Sequence, residues 1–196
     1  LFAICIVLTL WGALQWWQTR EKVIGFYAIK QTVNTVWLYF FLGVGRVFLG
    51  PWLEPGVGTA IAAATLPLLM ASILVFITIL IETYQPAKFW LHLSYALAVL
   101  FALVPVAQFF GLTRESLKLC SLLAPVALLL MVITAVSAVP SKVKNPIKIE
   151  HLIIYLLIYG FFNTLAPAKS LGLIQELPYV LMSNLIHVIL DSTIMF

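Results

Sequence analysis

Near the C-terminal end of the chain, Asn184, His187 and Asp191 are spaced by three and then four residues. In a helix that spacing puts all three on one face. Read as chemistry, His187 and Asp191 could share a divalent ion or relay a proton. An ion needs more ligands, and the other two histidines, His92 and His151, fall near the ends of other helices. The plainer reading is an interhelical hydrogen-bond network that fixes helix rotation. Lys30 is the second candidate, because a cation inside an apolar segment is costly and marks function by default. It lies about two turns into its helix, roughly 10 Å at 1.5 Å per residue. Either its ammonium snorkels to the membrane interface or it pairs with a carboxylate, Asp191 or Glu82. A buried pair made in one helix arrangement and broken in another would be a switch. Lys30, Asn184, His187 and Asp191 together form the candidate intramembrane polar switch.

Other polar residues carry less. Asn34 and Asn163 suit hydrogen bonds between helices. Gln108 and Pro105 suit the lining of a cavity open at one end, and Pro67 and Pro125 suit helix kinks. Arg46, Glu54, Arg114 and Glu176, with Glu115 and Lys118 nearby, form either an outer docking rim or an ordinary solvated edge. Cys5 and Cys120 lie in apolar runs without zinc-ligand spacing. They read as buried thiols, or as a disulfide if their helices are neighbours. No HExxH, GxSxG, P-loop or DxD motif occurs. No catalytic residue, metal or cofactor is therefore expected, and this domain is not read as an enzyme.

The elements that must position these residues follow from composition. The chain has 196 residues, of which 63% are hydrophobic and 9% charged, and its mean hydropathy is +1.11. So few charges cannot cover a soluble fold. A soluble enzyme and a nucleic-acid-binding domain are excluded, and the lipid bilayer is the first partner. At about 20 apolar residues per crossing, the chain holds roughly seven helices. The expected fold is an all-α membrane protein, a single domain of seven transmembrane helices. Its spans are placed near residues 1–18, 23–49, 57–82, 89–110, 115–139, 149–166 and 178–196. Long unbroken apolar runs exclude a β-barrel. The chain opens on Leu-Phe and ends in an apolar stretch, which reads as a core excised from a longer protein.

Orientation follows from basic residues. Arg20, Lys22, Lys30, Lys88, Lys142, Lys144 and Lys148 fall on one side, and Arg46, Arg114, Lys118 and Lys169 on the other. The richer side is cytoplasmic by the positive-inside rule, which places the N-terminus outside and the C-terminus inside. Trp16, Trp17, Trp90 and Trp52 fall where interfacial aromatic belts are expected. Gly12, Gly25 and Gly160 read as isolated close helix contacts.

Four features carry a family resemblance. The first helix ends in Trp16-Trp17-Gln18-Thr19-Arg20-Glu21-Lys22. An aromatic-rich second helix follows, with Phe26, Tyr27, Trp37, Tyr39, Phe40 and Phe41. A short Gly/Pro/Trp loop comes next. Near the end, Gly172-Leu173-Ile174 and Pro178 precede a polar-faced last helix. In these respects the chain resembles the bacterial seven-transmembrane receptors with diverse intracellular signalling modules. The resemblance implies a receptor core in the bacterial inner membrane. It implies an extracytoplasmic ligand or ligand-binding domain on one side. On the other it implies a cytoplasmic signalling domain, such as a histidine kinase of a two-component system or a diguanylate cyclase. A homodimer is a candidate assembly. It transfers no active-site residues.

Two functions stay open at this level. One is a sensor that relays an outside signal through its last helix to a cytoplasmic effector. The other is a transporter or channel for a small solute or ion, lined by the polar face of the last helix. The third and fifth spans offer little polar lining, which favours the sensor.

Overall fold

The computed structural model describes residues 2–50, 52, 54, 56–138, 149–158, 185, 186 and 189. These residues are helical with connecting turns, and none of them is in a strand. The helices are α1 (Phe2–Thr19), α2 (Lys22–Phe41), α3 (Val44–Leu49), α4 (Val57–Glu82), α5 (Lys88–Phe109) and α6 (Thr113–Val136). A shorter apolar helix, α7, covers Ile149–Ile158. Four of these, α1, α4, α5 and α6, are long and apolar enough to cross a bilayer. That marks the chain as a membrane protein. Large apolar side chains such as Val7, Leu10 and Leu14 on α1, and Leu103 and Phe109 on α5, are exposed. Contiguous apolar surface of this kind suits lipid, not water. Asn184, His187 and Asp191 of the seventh expected span lie outside the described residues, as do Asn163 and Glu176.

The second span, expected as one helix over 23–49, is broken. α2 ends at Phe41, and Gly43 adopts a left-handed φ of 73° before the six-residue α3 begins. Leu42 donates its N–H to the Leu38 carbonyl and Gly43 to that of Phe40, so the turn closes the last carbonyls of α2. An L side chain at Gly43 would be strained by the backbone alone, since the space around it is open. With Lys22 and Lys30 in its length, α2 is also less apolar than the four long helices.

By compactness the chain divides into two units. One comprises Phe2–Phe76 and Leu97–Cys120, the other Ile77–Ala96 and the chain from Ser121 onward. In the first unit α1 and α2 form an antiparallel hairpin joined by Arg20 and Glu21. Its register runs from Trp16 against Gly25, through Gly12 against Tyr27 and Ala28, to Phe2 against Tyr39. Gly12 and Gly25 thus do make the close approaches expected of them. Arg20, at φ 57°, ends α1 and stacks its guanidinium over Trp17 at 4.6 Å and Trp16 at 5.5 Å. Cation–π attraction of about 0.5–1 kcal/mol at an exposed site helps offset the left-handed backbone.

The second unit has its own polar pins. Tyr95 donates to Glu82 at 3.2 Å, and the Ser94 and Thr134 hydroxyls lie 3.4 Å apart. The backbone N–H of Ala87 donates to Ser137 at 3.2 Å. Tyr84, in the turn after α4, is buried, and burial raises its phenol above the ordinary value of 10.0.

Candidate functional site

A polar stripe runs down the buried face of α2. Tyr27, Lys30, Gln31, Asn34 and Leu38 recur at helical spacing and are all buried. Three of the five are strongly polar, in a unit whose core is otherwise mainly aliphatic and aromatic. Lys30 stands eight residues after Lys22, about 12 Å along the axis at 1.5 Å per residue. That is near the midpoint of a helix of 20 residues.

Lys30 is only 4% exposed. Its Nζ lies 5.4 Å from the Tyr27 ring centroid and 5.2 Å from that of Phe76 on α4. The ammonium is therefore held among rings within the unit. Two rings flank the ammonium, and they pack in turn: Trp11 meets Tyr27 edge-on at 6.1 Å, and Tyr27 meets Phe76 at 5.9 Å. Desolvated cation–π contacts are worth up to about 2 kcal/mol each. Removing an ammonium from water costs several kcal/mol even after relaxation. The rings offset part of that cost.

Gln31 is fully buried. Its Nε2 donates to the Tyr27 hydroxyl at 3.2 Å, while its Oε1 has no hydrogen-bond partner among the described residues. A buried acceptor left in that state costs about 1–3 kcal/mol. Asn34 donates from Nδ2 to Cys5 Sγ at 3.8 Å, a weak bond to a soft acceptor. One turn along the hairpin, the hydroxyls of Thr9 and Thr35 lie 3.1 Å apart, while each also reaches its own helix, Thr9 to Cys5 O and Thr35 to Gln31 O. Two hydroxyl protons serve three contacts, so one contact is always without a proton. The stripe is thus a network with alternative bonding patterns.

Lys30 and Asn34 were singled out by residue type. Gln31, Tyr27, Thr9 and Thr35 were not, although the spacing 27, 30, 31, 34 was visible as a face. Cys5 and Cys120 are both buried and both free thiols. Arg46 lies in α3, Arg114 and Glu115 begin α6, and Glu54 is exposed in the turn before α4. Glu82 accepts from Tyr95. Among the described residues, no group of three His, Cys, Asp or Glu side chains could hold a metal ion.

No family model, no curated protein and no solved structure matches this chain.

Proposed function

We propose that this chain is the membrane-embedded core of a bacterial inner-membrane sensor, with seven spans, its N-terminus outside and its C-terminus in the cytoplasm. The polar stripe of α2 is its switch. The supporting observation is Lys30: a cation buried at mid-helix among Tyr27 and Phe76, beside a Gln31 acceptor with no partner among the described residues. A group that is expensive in one arrangement is easily tipped to another. A signal need supply only the difference between two such arrangements. Conduction requires polar groups facing a path. The α4 hydroxyls of Thr65 and Ser72 instead donate to carbonyls of their own helix, Ile61 and Leu69, which favours a sensor over a transporter.

In this reading Asp191, on the polar face it shares with Asn184 and His187, is the carboxylate that Lys30 meets in one signalling state. The last helix then carries the displacement to a cytoplasmic signalling domain, in response to an extracytoplasmic ligand or ligand-binding domain. A double-mutant cycle tests the pair. Asp191→Ala leaves an uncompensated buried charge and costs about 3–5 kcal/mol, and adding Lys30→Met recovers part of that. Independent, additive effects would remove the pair and with it the switch.

A further inference from the structure

α4, Val57–Glu82, contains Pro67 about two-fifths of the way along its length. A proline inside a helix cannot donate to the carbonyl four residues earlier, and its ring pushes that carbonyl aside. The carbonyl freed here is that of Ala63. Gln108, near the end of α5, donates its Nε2 to this same oxygen at 3.2 Å. The adjoining carbonyls on the same turn are served as well, since the Thr65 hydroxyl lies 2.8 Å from Ile61 O and 3.2 Å from Ala62 O. The Ala63 carbonyl, whose backbone donor is missing, is therefore supplied with a side-chain donor, and its neighbours accept an additional one. Gln108 is the donor that comes from another helix. Its own Oε1 is buried and has no partner among the described residues, so the amide is oriented by the Ala63 bond and by nothing else described.

We propose that Pro67 and Gln108 form a latched hinge. Pro67 removes the internal bond that would stiffen α4, and the Gln108 amide replaces it with a bond to α5. While the latch is closed, the segment of α4 before Pro67 moves with the end of α5. When the amide rotates away, that segment is free to swing about the proline. Loss of a helix-interior bond normally bends a helix permanently. A removable partner converts the bend into a two-position joint. The latch is independent of the sensor reading and holds equally for any function of the domain.

The test is a double-mutant cycle on the full chain in detergent, read by melting temperature and by spin-label distance. Gln108→Met keeps length and apolar bulk but lacks the donor. It lowers the melting temperature by several degrees. It also broadens the distance distribution between nitroxides at Thr59 and Phe109, both exposed positions on α4 and α5. In a Pro67→Ala background, residue 67 regains an N–H for the Ala63 carbonyl. There Gln108→Met costs less than half as much and the distribution stays narrow. An equal loss in both backgrounds overturns the latch, as does an unbroadened distribution in Gln108→Met alone. Should Pro67→Ala not fold, the distance distribution of the single variant decides the matter.

Discussion

Gly25 sits where the α1–α2 hairpin is tightest, and replacing it tests that packing quantitatively. A Cβ on Gly25 would lie 2.7 Å from Trp16 Nε1, 2.8 Å from Cδ1 and 3.3 Å from Cε2. Comfortable carbon contacts fall at about 3.5–4.0 Å, so the indole must retreat by roughly 1 Å. It cannot tilt freely, because the Arg20 guanidinium stacks on it. Alanine gains about 1 kcal/mol over glycine in a helix interior, whereas overpacking typically costs about 1–3 kcal/mol. Gly25→Ala is therefore expected to destabilise by about 1 kcal/mol net. For a chain of this length that is a fall of about 2–4 °C in melting temperature. Gly12→Ala is the control. Its Cβ would sit 3.1 Å from Tyr27 Cδ1 and 3.3 Å from Ala28 Cβ, a crowding that a few tenths of an ångström relieves, so the propensity gain roughly cancels the cost. Adding Trp16→Leu to Gly25→Ala opens the contact and removes most of the penalty. Thermal unfolding in detergent, followed by circular dichroism, measures these three variants against the parent. A Gly25→Ala protein as stable as the parent, or a penalty unchanged by Trp16→Leu, would refute the close approach.

Two further outcomes are expected. Burial raises the Tyr84 phenol above 10.0. The folded state therefore holds that proton more tightly than the unfolded one, and the associated stability is complete below about pH 10 and lost as pH rises through the folded value. The melting temperature of the parent should fall more steeply above pH 10 than that of Tyr84→Phe, and identical slopes would contradict the burial. Cys5 and Cys120 are free and buried, so neither should react with maleimide in the folded protein and both should react after denaturation, whether or not reductant is present. A mass two protons lower before reduction would show a disulfide instead.

Sequence and structure agree where one physical signal dominates. The runs that became α1, α4, α5 and α6 are long and almost uncharged, and only helices satisfy such backbone in lipid. The second span failed at Gly43 because the residues around it, Arg46 apart, stay free of charge from Tyr39 to Leu49. A hydropathy reading passes over a left-handed residue that hydrogen bonding, not polarity, selects. Lys30 stood out because a cation in an apolar run has no ordinary explanation. Gln31 did not, since a glutamine beside a lysine reads as its polar companion on an exposed face. The structure turns it inward, on the buried face it shares with Tyr27, Asn34 and Leu38. That Pro67 and Pro125 lie inside helices, α4 and α6, was legible from the apolar runs around them. That Gln108 answers Pro67 was not, because the register between two helices depends on packing that no single helix encodes.

The central claim is that the buried stripe around Lys30 switches a sensor and does not conduct. Reconstituted into liposomes holding a pH-sensitive dye, under an imposed potassium diffusion potential, the chain should pass no more protons than empty vesicles. Lys30→Met should leave that baseline unchanged while altering the stability of the protein. Proton flux above the baseline that disappears with Lys30→Met would contradict the account and make Lys30 part of a transport path.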